Sequence, residues 1–162
     1  MIGRGALAGL DLHFIRHLVA TVAYRTTKVI ENVPPDYPTF SIGEGVRTPI
    51  ETLHHISNVL EMANAAFQEG SSTVVEMQSW EAEVARFYDV LKRLDEALAM
   101  DAKPRTMSWE QIVQGPLADA LTHVGQLATL RRLAGNPVAR ESYIRANVTV
   151  GQIGPMTSPK TD

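Results

Sequence analysis

The chain contains no cysteine. That excludes a disulfide framework, a thiolate zinc site and a cysteine nucleophile together. Any thiol chemistry must use a thiol brought by the substrate. Long apolar runs are missing as well. Met1 to Leu12 is apolar in flavour, but Asp11, His13, Arg16 and His17 interrupt it, and no other stretch reaches the ~20 uninterrupted apolar residues a membrane span needs. The expectation is a cytoplasmic protein with no membrane association. Excess charge of one sign is also lacking. The 15 basic and 18 acidic side chains leave a net charge of -3, which offers no footprint for nucleic acid. The sequence has no G-x-S-x-G, no P-loop and no strand-turn-helix context for a dinucleotide fingerprint.

What is present is helical periodicity in a chain of 162 residues, a length that suits one domain with one core. The first predicted helix runs from about Leu7 to Val33. Leu10, Phe14, Leu18 and Val22 recur at i+4 beside a second stripe of Ile15, Val19 and Val22, and Pro34-Pro35 stops it. Residues 34 to 48 are rich in Pro and Gly and read as an irregular connection. Thr48-Pro49-Ile50-Glu51 opens the second helix with a capping box and a Pro at its first position, and Gly70 is placed to end it. Its core stripe is Ile50, Leu53, Ile56, Leu60, Ala63 and Phe67. After a Ser/Thr/Val linker over 71 to 78, the third helix follows a 4-3-4 pattern of Trp80, Val84, Phe87, Leu91, Leu94 and Leu98. Glu81, Glu83, Arg86, Lys92, Arg93 and Glu96 take its outer positions.

A short helical turn is expected at Ser108-Trp109-Glu110-Gln111, and Trp80 and Trp109 read as core anchors. The fourth main helix starts at Gly115-Pro116, buries Leu117, Ala120, Leu121, Val124, Leu127 and Ala128, and ends at Gly135 and Pro137. One more helical turn is expected near Ala139 to Ala146. No internal repeat and no convincing strand is visible. The fold class is therefore all-α, a four-helix bundle over residues 1 to 147 with an extended tail over 148 to 162.

The five histidines fall on predicted helices, and without cysteine a metal site must be built from histidine and carboxylate. His54 shares a stripe with Glu51, Asn58 and Glu61 and reads as solvent-facing. His55 lies on the apolar side, either as a core histidine bonded to a neighbour or as a ligand. Asp119 and His123 sit at i and i+4, a spacing that serves two ligands of one ion or an ordinary exposed ion pair. His13 and His17 share that spacing with no carboxylate nearby, and read as a surface or dimer-facing pair. Arg131 and Arg132 are either an anion site or cations at a helix C-terminus.

Glu51-Thr-Leu-His-His-Ile-Ser-Asn58 and Leu121-Thr-His-Val-Gly-Gln-Leu-Ala-Thr-Leu-Arg-Arg-Leu-Ala-Gly-Asn-Pro137 resemble the DinB-like (DinB/YfiT) superfamily. The resemblance extends over residues 7 to 137. In that family a histidine of the second helix follows an acidic residue by four, which points to His55. A histidine before a Gly-Gln-Leu segment points to His123. The remaining ligand is usually a histidine where this chain has Asp119, whose oxygen can coordinate the same ions.

The resemblance implies an up-down-down-up bundle whose second and third helices run parallel through a crossover, and often a homodimer. It also implies a divalent metal (zinc, nickel, iron or manganese) and an enzyme acting on a small molecule, as a transferase using a low-molecular-weight thiol or as a hydrolase. Gln126, on the face of Asp119, would orient a ligand. The competing reading is a non-catalytic dimeric bundle that binds a small apolar molecule or a protein partner.

Overall fold

The computed structural model describes residues 4–68 and 75–155, with side chains from Leu12 onward in the first helix. Among the described residues the architecture is entirely helical. Four long helices enclose one core: α1 (Arg4–Ile30), α2 (Pro49–Ala65), α3 (Trp80–Ala99) and α5 (Ala118–Leu133), with a single turn, α4 (Trp109–Ile112), before the last. No helix among the described residues is long and apolar enough to cross a membrane.

In α1 the buried stripe is Ile15, Val19, Val22 and Ala23, whereas Phe14 is 63% exposed. The i+4 series through Phe14 fails for a geometric reason. Four residues advance about 400°, so each step drifts about 40° around the helix, and Phe14 lies two such steps from Val22. Asn32, with a left-handed φ of 51°, turns the chain out of the helix ahead of Pro34-Pro35.

α2 begins as its sequence dictates. The Glu51 backbone N–H donates to Thr48 Oγ1, and the Thr48 N–H donates to Glu51 Oε2 at 2.7 Å. The helix ends at Ala65, five residues before Gly70, which lies outside the described residues with residues 71–74 of the linker. α3 is capped by Ser79 and buries Phe87, Leu91, Leu94 and Leu98. Trp80 and Trp109 pack partly buried against the core, edge-on to Tyr37 and tilted against Phe67 respectively.

Each long helix has two principal neighbours, because α1 and α2 both pack against α3 and α5. Polar pairs mark the seams. Arg16 grips Asp95 with two bonds of 2.9 Å, and Thr27 meets Tyr88. Along α2 and α3, His54 meets Glu83, Asn58 accepts from Arg86, and Glu61 accepts from Arg93.

The sequence places the start of the last helix at Gly115-Pro116, but no break occurs there. α4 runs into a wide π-helical turn, Val113–Leu117, that leads directly into α5. Pro116 has no N–H to contribute, and the wider turn lets the helix pass it. Beyond α5 the chain folds back. Val138 and Ile153 pack on the core, Glu141 accepts from Tyr24 and pairs with Lys28, and the expected helical turn near Ala139 to Ala146 is one 3-10 turn, Tyr143–Arg145. Residues 149 to 153 form tight turns, and residues 156–162 lie outside the described residues.

Two of these seams are held by polar side chains inside the molecule. Arg131 is buried and donates to the carbonyls of Lys28, Glu31 and Asn136, tying the ends of α1 and α5 together. It is therefore committed to backbone and does not form an anion site, while Arg132 is exposed. Tyr37 sits fully buried in the 34 to 48 connection and donates to the Leu127 carbonyl at 2.9 Å; burial raises its pKa. Tyr37→Phe is expected to cost about 1 kcal/mol in urea denaturation, because it removes that buried hydrogen bond while the carbonyl keeps only its helical N–H donor. No change in stability would show that the connection is not pinned there.

Candidate metal centre

The rotation of α2 about its own axis decides which of its two adjacent histidines faces the last helix. His54 was expected in solvent. Instead it is largely covered, with Nδ1 3.1 Å from the fully buried Glu83 carboxylate of α3 and 3.3 Å from Arg86. Glu83 and Arg86, read as outer positions, are the reason: they form a polar seam under which His54 is buried. Glu83 also accepts the Gln78 N–H at 3.0 Å, so this acid is fully satisfied. With His54 turned to α3, His55 is turned to α5.

There it meets the two candidates of that helix. The His55 and His123 rings lie edge to face, 4.4 Å between centroids. Asp119 stands between them, with one carboxylate oxygen 3.5 Å from His55 Nε2 and the other 3.4 Å from His123 Nε2. One ligand atom from each of the three residues lies within 4.8 Å of the others, so the group could hold a metal ion. The wide turn that ends at Leu117 immediately precedes Asp119 and sets the phase with which α5 presents it.

The separations are compatible with a shared ion. An imidazole N–H bonded to a carboxylate closes to about 2.7–3.2 Å. Two donors each ~2.0–2.1 Å from one ion, at a tetrahedral angle, lie about 3.3–3.4 Å apart. The observed 3.4 and 3.5 Å, measured to the two different carboxylate oxygens, are near the second spacing, and one ligand atom of each residue lies within 4.8 Å of the others.

Protonation supports the same conclusion. His123 Nδ1 is 2.7 Å from Gln126 Oε1, an acceptor, so Nδ1 carries a proton, and in that tautomer of the neutral ring the Nε2 lone pair faces Asp119. A lone pair opposite a carboxylate is repulsive until a cation sits between them. The His55 pKa is lowered, first by burial, then by the charges of Arg47 and His123, with Asp119 opposing. It is thus neutral near pH 7, the form that ligates metal.

Burial grades across the site. The His123 side chain is 10% exposed, His55 29% and Asp119 43%, so the group is closed toward the core and open on the Asp119 side. A cleft of about 720 Å³ lies beside it, lined by Thr52 one turn before His55, Thr122 beside His123, and Gln126, the hydrogen-bond partner of His123. His13 and His17 are exposed and take no part. Replacing Gln126 with Leu is expected to weaken zinc affinity about 10- to 100-fold in competition with a chelating dye. Unchanged affinity would show that Gln126 does not orient His123.

Fold and site together define an all-helical protein with a His-Asp-His group able to hold a metal ion. Compared with protein-family models, with curated proteins and with solved structures, the chain matches none.

Proposed function

We propose that this protein is a divalent-metal-dependent enzyme of the DinB-like type, acting on a small molecule as a thiol-dependent transferase or a hydrolase. The observation that carries this reading is the spacing of His55, Asp119 and His123, which suits a shared ion and leaves one side open. Three protein ligands with an accessible position are the mark of a catalytic rather than a structural ion. The bound ion would supply Lewis acidity, lowering the pKa of a water or thiol at neutral pH.

The chain's own residues do the rest. His55 and His123 present their Nε2 atoms, Gln126 orients the ring of His123, and Asp119, the most exposed of the three, supplies a carboxylate oxygen from the open side. Zinc, nickel, iron and manganese all suit this donor set.

An up-down-down-up bundle accompanies this reading. The pairs His54 with Glu83, Asn58 with Arg86 and Glu61 with Arg93 advance in the same direction on α2 and α3, which supports a parallel pair. Arg16 with Asp95 and Thr27 with Tyr88 advance in opposite directions on α1 and α3. A homodimer in the cytoplasm completes the proposal.

The test is an assay of the zinc-, nickel- and manganese-loaded protein for conjugation of a low-molecular-weight thiol to an electrophile and for ester hydrolysis, before and after chelation. Activity lost on chelation and regained with the ion, at constant helicity, is the expected result. Activity indifferent to chelation contradicts it, and unfolding on chelation would make the ion structural. One observation favours the competing reading, a non-catalytic binder of an apolar molecule. A second cavity of about 680 Å³, lined by Leu12, the exposed Phe14, Ile15, Trp109 and Val113, has mainly apolar walls.

A further inference from the structure

The cleft beside the candidate metal centre carries one cation that the protein itself does not use. Arg47, exposed on the connection into α2, lines it and makes no hydrogen bond or ion pair among the described residues. Glu51, four residues on, turns Oε2 to the N–H and the hydroxyl of Thr48 at 2.7 and 2.8 Å and forms no ion pair with Arg47 among the described residues. The remaining polar lining is of the opposite kind. Thr52, Thr122 and Thr129 spend their hydroxyl protons on the carbonyls of Thr48, Ala118 and Gly125, which leaves only acceptor lone pairs facing the cleft.

Gln126 commits Oε1 to His123, so its amide N–H groups are the other donors the cleft offers. Between these polar points the walls are apolar, from Ile42, Val46 and Leu130. Arg47 shares the cleft wall with Thr52, one turn before His55, while Thr122 and Gln126 of α5 line it as well.

We infer that the substrate of this site is a small carboxylate with an apolar body, its carboxylate held by Arg47 and its reactive group directed to His55, Asp119 and His123. The volume of about 720 Å³ suits a small molecule. A guanidinium fork matches a carboxylate in shape, and one unpaired cation matches one negative charge. A phosphate dianion would bring a second charge toward the Asp119 carboxylate with no second cation lining the cleft to meet it.

This inference rests on the metal-centre reading, and the experiment separates the two. Zinc-loaded protein is titrated calorimetrically with two probes, succinomonohydroxamate and the counterpart whose carboxylate is a primary amide. Both carry the same metal-binding head and differ only in the charge of the tail. The carboxylate probe is expected to bind about tenfold more tightly. Arg47→Ala should remove that preference without changing affinity for the amide probe, and Arg47→Lys should restore part of it. Equal affinities in wild type, or a preference that survives in Arg47→Ala, overturn the inference.

Zinc content measured first tells the readings apart. If the protein takes up no metal, the metal-centre reading fails by itself, and the cleft is tested with glutarate on metal-free protein by NMR. Shifts at Thr52, Thr122 and Gln126 that vanish in Arg47→Ala support the carboxylate site, and their absence overturns it.

Discussion

Replacing His123 with alanine is expected to lower zinc affinity by at least about 100-fold while the helices remain folded. Loss of a partner that merely orients a ligand costs about 10- to 100-fold, so loss of the ligand itself must cost no less. His123 is also the candidate ligand the fold holds most firmly. Its ring is buried, its Nδ1 is committed to Gln126, and its Nε2 faces Asp119. His55→Ala should behave alike, because it removes the only contribution of α2 to the three-residue group.

Neither change removes a residue of the main apolar cluster, so circular dichroism and the cooperativity of urea unfolding should be retained. The measurement is competition with a chromophoric chelator at neutral pH. Affinities within threefold of wild type in both variants would mean that the three residues do not share an ion.

The largest loss of stability is expected at Glu83. This carboxylate is fully buried and gathers the Gln78 N–H, His54 Nδ1 and the Arg86 guanidinium. Removing one partner of a buried charged network costs about 3–5 kcal/mol, because the remaining groups stay desolvated without a counterpart. Glu83→Ala should therefore cost about 3 kcal/mol or more in chemical denaturation, a large share of the roughly 5–15 kcal/mol that a domain has. Glu83→Gln keeps an acceptor oxygen and should cost less. A loss below 1 kcal/mol for the alanine variant would show that the seam is not desolvated. His54 belongs to this seam and fixes the side of α2 on which His55 emerges, so the alanine variant should also weaken metal binding.

Local chemistry is what made the helices legible. Thr48, Ser79 and Ser108 cap where their sequences say they should, and the stripe Phe87, Leu91, Leu94 and Leu98 is buried as its spacing requires. The departures come from contacts that no helical wheel contains. Glu83 and His54 look solvent-facing on their own helices because each is covered by the polar residue of the other. Arg131 resembles a cation at a helix end until the carbonyls at the end of α1 are brought against it.

Pro116 signals a helix start by its missing N–H, yet a wide turn also tolerates that absence, and only the packing of α4 decides between the two. The three candidate residues were legible individually, by the i,i+4 spacing of Asp119 and His123 and by the apolar flank of His55. Their convergence across α2 and α5 is a tertiary fact, as is the place of Arg47 on the cleft that leads to them.

The most direct test of the central claim is elemental analysis of the purified protein carrying no histidine tag, beside His55→Ala and His123→Ala. The account predicts close to one equivalent of a divalent metal in wild type, as isolated or after reconstitution with zinc, nickel or manganese, and almost none in either variant. Wild-type protein that takes up no metal under any of these conditions would contradict it.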